Sequence, residues 1–270
     1  TFTYNKEAHT YTLLESAYYT ISNNSATDAG RYEAVVSIKN TVNYEWADGT
    51  NTDLLYEFVI NKAKVETPTA NTGLVYNGLE QTGVNEDERY TIEDGKATIA
   101  GTHIAKVTLK DNYEWLDSSF DGYVMWTISK ATYDMSNVAW VYEGPYTYNK
   151  AEQGVTLTGL PEGVTVKNYI IASATNAGTY TARVELQYDS SNYYPVSVDP
   201  ITWEIKKVKL DMQDVAWNYT NAFAYNGSKH TVVLTDVPSE ITVTYTDNEA
   251  TNAGTYVAVA TFAYDTNNYT

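Results

Sequence analysis

Cysteine is absent from the 270-residue sequence, which excludes disulfides, thiolate metal sites and cysteine nucleophiles. Basic residues are also few: 17 Lys and Arg stand against 34 Asp and Glu, a formal net charge of −17. An acidic surface of this kind repels phosphate backbones and anionic membranes. The sequence has no run of 18 apolar residues and no signal-peptide pattern. We therefore expect no nucleic acid partner and no membrane insertion.

Long segments of helical periodicity and familiar catalytic motifs are missing as well. The sequence contains no Gly-x-Ser-x-Gly, no phosphate-binding loop and no His-Glu-x-x-His. Tyrosine, in contrast, is abundant at 26 residues and favours strands. These features predict an all-β protein that is not an enzyme and needs no cofactor.

One segment of the sequence occurs four times. It reads TNAGTYTARVELQY at Thr175–Tyr188, and the other copies are TDAGRYEAVVSIKN (Thr27–Asn40), TIAGTHIAKVTLKD (Thr98–Asp111) and TNAGTYVAVATFAY (Thr251–Tyr264). Each copy joins a tight turn to a strand whose alternate residues are apolar. That alternation is typical of a strand with one buried face.

Two further motifs set the limits of the repeat. Tyr-Asn-Lys/Gly begins at Tyr4, Tyr76, Tyr148 and Tyr225, and aromatic-x-Ile-x-Lys begins at Phe58, Trp126 and Trp203. The spacing predicts four repeats at 1–63, 64–131, 132–208 and 209–270. Repeat 1 lacks the opening strand of the others, and repeat 4 lacks the closing aromatic-x-Ile-x-Lys strand. Lysine suits a left-handed turn less well than glycine, so the Tyr-Asn-Lys turns are expected to be of another type.

About six strands per repeat, separated by turn residues every 8–12 positions, predict four small immunoglobulin-like antiparallel β-sandwich repeats. Asp28-Ala29-Gly30-Arg31-Tyr32 resembles the tyrosine corner of such domains, in which the hydroxyl group fixes the preceding loop. His103 replaces the tyrosine in repeat 2 and predicts a weaker corner there. A tandem array of β-grasp repeats is the alternative, and it requires one helix per repeat.

The combination YNG…TLTGLPEGVTV…ATNAGTYTA…WEIKK in repeats 3 and 4 is similar to the MBG-type ("mostly beta, glycine-rich") repeats of bacterial surface and adhesin proteins. The resemblance implies an extracellular protein of the bacterial cell surface or cell wall, in which such repeats neighbour one another in a longer chain. It implies stalk or adhesin modules and no catalytic residues. We expect the repeats to form an extended rod.

The motif Asn-Tyr-Glu-Trp occurs in two loops and supplies the candidate binding residues. Tyr44, Trp46, Tyr113 and Trp115 would form aromatic platforms that stack on the sugar rings of a host or plant glycan. The more ordinary interpretation is that these side chains close the end of the sandwich or the joint to the next repeat.

Acidic, Asn-rich loops at Asp111-Asn112, Asp189–Asn192 and Asp265–Asn268 are candidates for Ca²⁺, with solvated turns as the alternative. His9 and His230 occupy the same position in their repeats and are interpreted as polar strand residues rather than metal ligands. The tryptophans of the strands, Trp126, Trp140, Trp203 and Trp217, are predicted to lie in the core.

The leading functional hypothesis is a non-enzymatic structural or adhesive stalk segment of a bacterial cell-surface protein, which presents a binding domain. A carbohydrate-binding module that uses the loop aromatics is one alternative. An adhesin that binds a host surface protein is the other.

Overall fold

The computed structural model describes all 270 residues, and its regular secondary structure consists of β-strands alone. The predicted all-β class is confirmed, and the β-grasp alternative is wrong because no repeat contains a helix. No segment offers the kind of helix that would cross a bilayer. The chain divides into two compact units, one of 1–132 with 190–194 and one of 133–189 with 195–270. The four predicted repeats divide the chain more finely than these two units, and their boundaries stay a prediction.

Repeat 1 lies in unit 1 and contains six strands, which are β1 (Phe2–Thr3), β2 (His9–Thr10), β3 (Tyr19–Ser22), β4 (Ser25–Ala26), β5 (Gly30–Ile38) and β6 (Leu54–Asn61). One sheet has the order β1-β6-β5-β3, and β2 pairs with β4 in a second sheet. β1 runs parallel to β6, whereas the other pairs are antiparallel. Six strands in two sheets of this order are an immunoglobulin-like arrangement.

Repeat 2 also lies in unit 1 and has seven strands, which are β7 (Ala63–Val65), β8 (Gln81–Thr82), β9 (Tyr90–Glu93), β10 (Lys96–Ala97), β11 (Gly101–Leu109), β12 (Tyr113–Trp115) and β13 (Tyr123–Ile128). The sheets are β13-β11-β9, β10-β8 and β12-β7. Val75 bridges Ser129 in parallel, in the way that β1 pairs with β6. Repeat 2 therefore reproduces the strand order of repeat 1.

Unit 2 contains the strands of repeats 3 and 4. Those of repeat 3 are β14 (Ala139–Val141), β15 (Tyr146–Thr147), β16 (Gln153–Gly154), β17 (Thr156–Thr158), β18 (Thr165–Ile170), β19 (Ser173–Ala174), β20 (Gly178–Gln187) and β21 (Ile201–Lys206). Those of repeat 4 are β22 (Ala216–Trp217), β23 (His230–Thr231), β24 (Leu234–Thr235), β25 (Thr242–Thr246), β26 (Glu249–Ala250) and β27 (Val259–Ala263). Repeat 3 has the sheets β15-β21-β20-β18, β16-β19 and β14-β17, and repeat 4 has only the pairs β22-β24, β23-β26 and β25-β27.

The aromatic-x-Ile-x-Lys motif supplies the core of the first three repeats. Its aromatic and Ile side chains share one strand face and are 1–3% exposed in β6, β13 and β21. They pack over a buried alanine of the neighbouring strand, which is Ala34, Ala105 or Ala182. Trp126 and Trp203 are thus core residues, as predicted, whereas Trp140 and Trp217 are only partly buried.

All four repeats contain the corner that the sequence indicates. The hydroxyl groups of Tyr32, Tyr180 and Tyr256 donate to the backbone oxygen four residues earlier, at 2.8, 2.7 and 3.0 Å. In repeat 2, the Nε2 atom of His103 lies 3.1 Å from the backbone oxygen of Ile99. The histidine therefore keeps the same contact, provided that its Nε2 carries the proton.

The four Tyr-Asn-Lys/Gly turns have one conformation. The third residue of each has positive φ, at 74° for Lys6, 78° for Gly78, 67° for Lys150 and 76° for Gly227. In each turn the side-chain oxygen of the Asn accepts from the backbone N–H two residues later. The expectation of a different turn at the two lysines is wrong, because this Asx contact fixes the turn whatever residue follows.

Candidate functional site

The most specific arrangement in the protein is a contact made by an Asn-Tyr pair between one repeat and the next. The pair occurs in the loop that follows the long strand of repeats 2, 3 and 4, at Asn112-Tyr113, Asn192-Tyr193 and Asn268-Tyr269. Each Asn-Tyr pair lies against the turn and the marker tyrosine of the preceding repeat. We call this arrangement the Asn-Tyr joint.

The first Asn-Tyr joint connects repeats 1 and 2 within unit 1. The Oδ1 atom of Asn112 accepts from the N–H of Ala29 at 2.8 Å, and its Nδ2 donates to the carboxylate of Asp28 at 2.8 Å. Its backbone oxygen accepts from the N–H of Ala63 at 3.0 Å. The ring of Tyr113 meets that of Tyr4 edge to face, with centroids 5.4 Å apart. Burial in this contact raises the pKa of Tyr113.

The second Asn-Tyr joint also lies in unit 1, because the segment 190–194 belongs to that unit. Asn192 accepts from the N–H of Ala100 at 2.8 Å through its side chain and from the N–H of Ala131 at 2.9 Å through its backbone. Tyr193 meets Tyr76 edge to face at 5.4 Å. The second joint thus repeats three contacts of the first. The side chain and the backbone of the Asn each accept from the N–H of an alanine, and the two tyrosine rings meet edge to face.

The third Asn-Tyr joint connects repeats 3 and 4 within unit 2. The Oδ1 atom of Asn268 accepts from the N–H of Ala177 at 2.7 Å, and its backbone oxygen accepts from the N–H of Val208 at 3.0 Å. The rings of Tyr269 and Tyr148 lie edge to face at 5.4 Å. Asn268 and Tyr269 are 4% and 8% exposed, so the polar atoms of this joint are buried and paired.

A salt bridge accompanies the first and third joints. Lys6 contacts Glu88 at 2.6 Å, and Lys150 contacts Glu240 at 3.2 Å. The hydrogen bond to Glu88 raises the pKa of Lys6, and the one to Glu240 raises that of Lys150. Both lysines occupy the positive-φ position of their turns, where glycine has no steric penalty. The salt bridges explain why lysine rather than glycine occupies this position in these two turns.

The loop of repeat 1 resembles the loop of the third joint in its backbone. Tyr44 N–H donates to the backbone oxygen of Asn40 at 3.0 Å, as Tyr269 N–H does to that of Asp265 at 3.0 Å. Asn43 is exposed, however, and Tyr44 is 46% exposed with its ring 5.0 Å from that of Tyr18. This loop therefore shares a backbone hydrogen bond with the loop of the third joint but has none of the contacts between repeats that define an Asn-Tyr joint.

The four residues of the proposed glycan platforms lie in different surroundings. Tyr113 belongs to the first joint, and Trp115 packs beside the core of repeat 2, with its ring 5.0 Å from Phe120. Trp46 donates from Nε1 to the backbone oxygen of Thr52 at 2.7 Å, with its ring 6.3 Å from Tyr19. Tyr44 alone is exposed, and the other three side chains are partly buried. Glycan binding stays a prediction, and Tyr44 is the residue best placed for it.

The histidines and the acidic loops make contacts within the fold. His9 stacks on Phe2 at 4.9 Å and His230 on Phe223 at 4.6 Å, while Gln81 and Gln153 donate to backbone oxygens from the same position. No three His, Asp or Glu side chains converge as a metal site anywhere in the chain. Asp265 accepts from Asn268, which lowers the pKa of the Asp265 carboxyl. The asparagines of these loops thus take part in the joints, and Ca²⁺ binding by the loops stays a prediction.

Sequence reasoning identified the Asn-rich loops, and it gave closure of the joint to the next repeat as one interpretation of the Asn-Tyr-Glu-Trp aromatics, but it missed the contacts of the Asn side chains with the preceding repeat. The missed signal is Asn-Tyr at a constant place after the repeated strand, at positions 43, 112, 192 and 268. The sequence of an isolated loop does not reveal its partner, because the partner lies in another repeat. Only the recurrence of the Asn-Tyr pair together with the Ala-Gly turn could have indicated a contact between them.

No protein-family model matches the sequence, and no curated protein matches it. The N-terminal eight immunoglobulin domains of Down Syndrome Cell Adhesion Molecule, isoform 1.30.30, form a solved structure that overlaps 92% of this chain. The overlap covers 38% of that structure, at 10% sequence identity and a TM-score of 0.21. An overlap of that quality supports no inference, so the immunoglobulin-like assignment rests on the strand order and the tyrosine corners of this chain.

Proposed function

We propose that the chain is a non-enzymatic structural segment whose Asn-Tyr joints hold successive repeats at fixed angles, as a stalk requires. The observation that supports this proposal is the joint itself, repeated three times with edge-to-face tyrosines at 5.4 Å. A flexible linker would have solvated backbone groups between the domains. Here the linking residues Ala63, Ala131 and Val208 instead donate their N–H groups to the following loop.

The proposed cellular location rests on the sequence resemblance and not on the Asn-Tyr joints. The similarity to MBG-type repeats leads us to propose the bacterial cell surface as the site of action. The segment would serve there to present an adhesive domain to a host protein or glycan. An acidic, cysteine-free surface suits a spacer that must remain soluble and unreactive.

Spin-label distance measurements across the first joint test the mechanical part of the proposal. Because the chain has no cysteine, Thr20→Cys with Thr91→Cys places labels only at equivalent exposed sites of repeats 1 and 2. We expect one narrow distance distribution in this background. Adding Asn112→Ala and Tyr113→Ala should broaden the distribution while circular dichroism stays unchanged, since the joint opens and the sheets remain.

Asn51→Ala with Tyr123→Ala is the matched control, because both side chains are exposed and outside the joint. This control should leave the distribution narrow. A distribution that is already broad in the labelled parent, or that stays narrow when the joint residues are removed, would show that the Asn-Tyr contacts do not fix the angle. The stalk proposal would then lose its support.

A further inference from the structure

Two of the four Tyr-Asn-Lys/Gly turns contain the pair Asn-Gly, at Asn77-Gly78 and Asn226-Gly227, and the other two contain Asn-Lys. The four turns share one backbone conformation and one Asx contact. They therefore compare glycine with lysine after the same asparagine in the same kind of turn. Asparagine is one of the thermolabile residues of proteins, and a following glycine leaves its side chain open to attack by the main chain.

The side chain of Asn77 is arranged for attack at its Cγ carbon. Its Oδ1 atom accepts from the N–H of Leu79 at 2.9 Å, which draws electrons away from Cγ. The same donor would stabilise the negative charge that develops on Oδ1 when a nucleophile adds to that carbon. The Nδ2 atom of Asn77, which is the leaving group, donates to no other residue. The Nδ2 atom of Asn5, in contrast, donates to Glu7 at 3.4 Å.

The nucleophile is the backbone nitrogen of Gly78, and its N–H makes no hydrogen bond. Gly78 lies on the surface together with Asn77 and Leu79. No atom lies within 4 Å of the position that a Cβ on Gly78 would occupy, so the turn has room to move. At Lys6 and Lys150 a side chain crowds the nitrogen, and it restricts the backbone rotation that would bring the nitrogen to Cγ.

We propose that Asn77 is a site of spontaneous deamidation. The nitrogen of Gly78 bonds to Cγ of Asn77, the bond from Cγ to Nδ2 breaks, and ammonia leaves with the proton of the Gly78 amide. Water then opens the cyclic imide at one of its two carbonyl carbons. Opening at Cγ gives aspartate with the original main chain, whereas opening at the backbone carbonyl gives isoaspartate, whose main chain is longer by one methylene group. The reaction consumes water and requires no enzyme, oxidant or reductant.

Isoaspartate in this turn would loosen the second Asn-Tyr joint, a consequence that rests on the proposed role of the joints. Tyr76 immediately precedes the reacting residue, and its ring meets that of Tyr193 at 5.4 Å. The N–H of Tyr76 donates to the backbone oxygen of Ser129 at 2.9 Å, so the main chain is fixed up to the turn. A longer main chain after Tyr76 removes the Asx contact and shifts the turn relative to the ring. The first and third joints, whose turns carry lysine, are spared this change.

Ageing of the full chain at mildly alkaline pH, followed by peptide mapping, tests the chemistry. Mass spectrometry detects the mass gain of deamidation, and labelling by a protein isoaspartate methyltransferase identifies isoaspartate. We expect both signals at Asn77, with a rate at least about tenfold higher than at Asn5 or Asn149. The same reaction is expected at Asn226, and the peptide map separates the two sites.

Reciprocal substitutions separate the effect of glycine from the place of the turn in the chain. Gly78→Lys should slow deamidation of Asn77 at least about tenfold, and it should fold because Lys6 and Lys150 already adopt this conformation. Lys6→Gly should speed deamidation of Asn5 at least about tenfold. Equal rates at Asn77 in the parent and in Gly78→Lys, or an unchanged rate at Asn5 in Lys6→Gly, would overturn the proposal.

Hydrogen exchange of the Ala131 amide reports the second joint, because that amide donates to the backbone oxygen of Asn192 at 2.9 Å. Aged molecules with isoaspartate at position 77 should exchange this amide at least about tenfold faster than fresh protein. Aged Gly78→Lys is the control, since it still deamidates at Asn226, and its Ala131 amide should keep the original rate. An unchanged Ala131 amide in molecules that contain isoaspartate at position 77 would refute the effect on the joint. Neither result bears on the stalk proposal, which the spin labels test at the first joint.

Discussion

Replacing Asn268 with alanine isolates the contribution of one Asn-Tyr joint. The side chain is 4% exposed and makes three hydrogen bonds, to the N–H of Ala177 at 2.7 Å, to Asn176 at 3.1 Å and to Asp265 at 2.6 Å. Removing it leaves the N–H of Ala177 without its acceptor and breaks two further contacts. An unpaired buried donor costs about 1–3 kcal/mol, so the joint should lose about 2–3 kcal/mol in total.

Native-state hydrogen exchange of the Val208 amide is the assay. That amide donates to the backbone oxygen of residue 268, which the substitution retains, so it reports opening of the joint rather than loss of its own partner. A loss of 2–3 kcal/mol corresponds to exchange that is roughly 30- to 150-fold faster. Asn267→Ala is the control, because that side chain is exposed and adjacent.

The reasoning would be refuted by a Val208 amide that exchanges at its original rate in Asn268→Ala. Faster exchange at Ala177 alone would mean that Asn268 merely caps the turn. The repeats would then be held together by the tyrosine rings and the backbone pairing, and the Asn would be dispensable.

Three further outcomes follow from contacts in unit 1. Lys6→Gly should raise the thermal stability of repeat 1, because glycine adopts positive φ without strain, yet broaden the spin-label distribution across the first joint by removing the contact to Glu88. His103→Phe should destabilise repeat 2 by about 0.5–1.5 kcal/mol in denaturant unfolding, whereas His103→Tyr should not, because only tyrosine restores the corner hydrogen bond. The hydrogen bond from Arg89 lowers the pKa of Asp87 to about 2, so its stabilisation is complete above about pH 4 and is lost as pH falls through about 2. Carboxyl NMR should give that midpoint, and an ordinary value near 4 would contradict it; Asp87→Asn should remove this part of the acid sensitivity.

Strand periodicity made most of the fold predictable. Alternation in Thr175–Tyr188 and its copies identified the long strand of each repeat, and the aromatic-x-Ile-x-Lys motif identified its buried neighbour. These patterns depend on residues close together in sequence, and burial of one strand face requires them. The tyrosine corner was predictable for the same reason, since the hydroxyl group contacts a residue only four positions away.

The joints were not predictable in the same way. Asn112 contacts Ala29, 83 residues away, and Asn268 contacts Ala177, 91 residues away. Asparagine in an acidic loop is typical of any solvated turn, so nothing local separates the two roles. The prediction for the Tyr-Asn-Lys turns was wrong although the Asx contact that fixes their conformation is local. Only the presence of lysine there depends on distant residues, because the partners of Lys6 and Lys150 lie in the following repeat.

The division of the Asn-Tyr joint between two repeats has a consequence for how such chains change in length. Repeats 2 and 3 each carry both halves, an Ala-Gly turn with a marker tyrosine for the following repeat and an Asn-Tyr loop for the preceding one. A gene segment that encodes one repeat could therefore be duplicated or deleted in frame without creating an incompatible neighbour. Selection could then adjust the number of repeats. Sequence divergence between repeats would be freest at side chains outside the two halves of the joint.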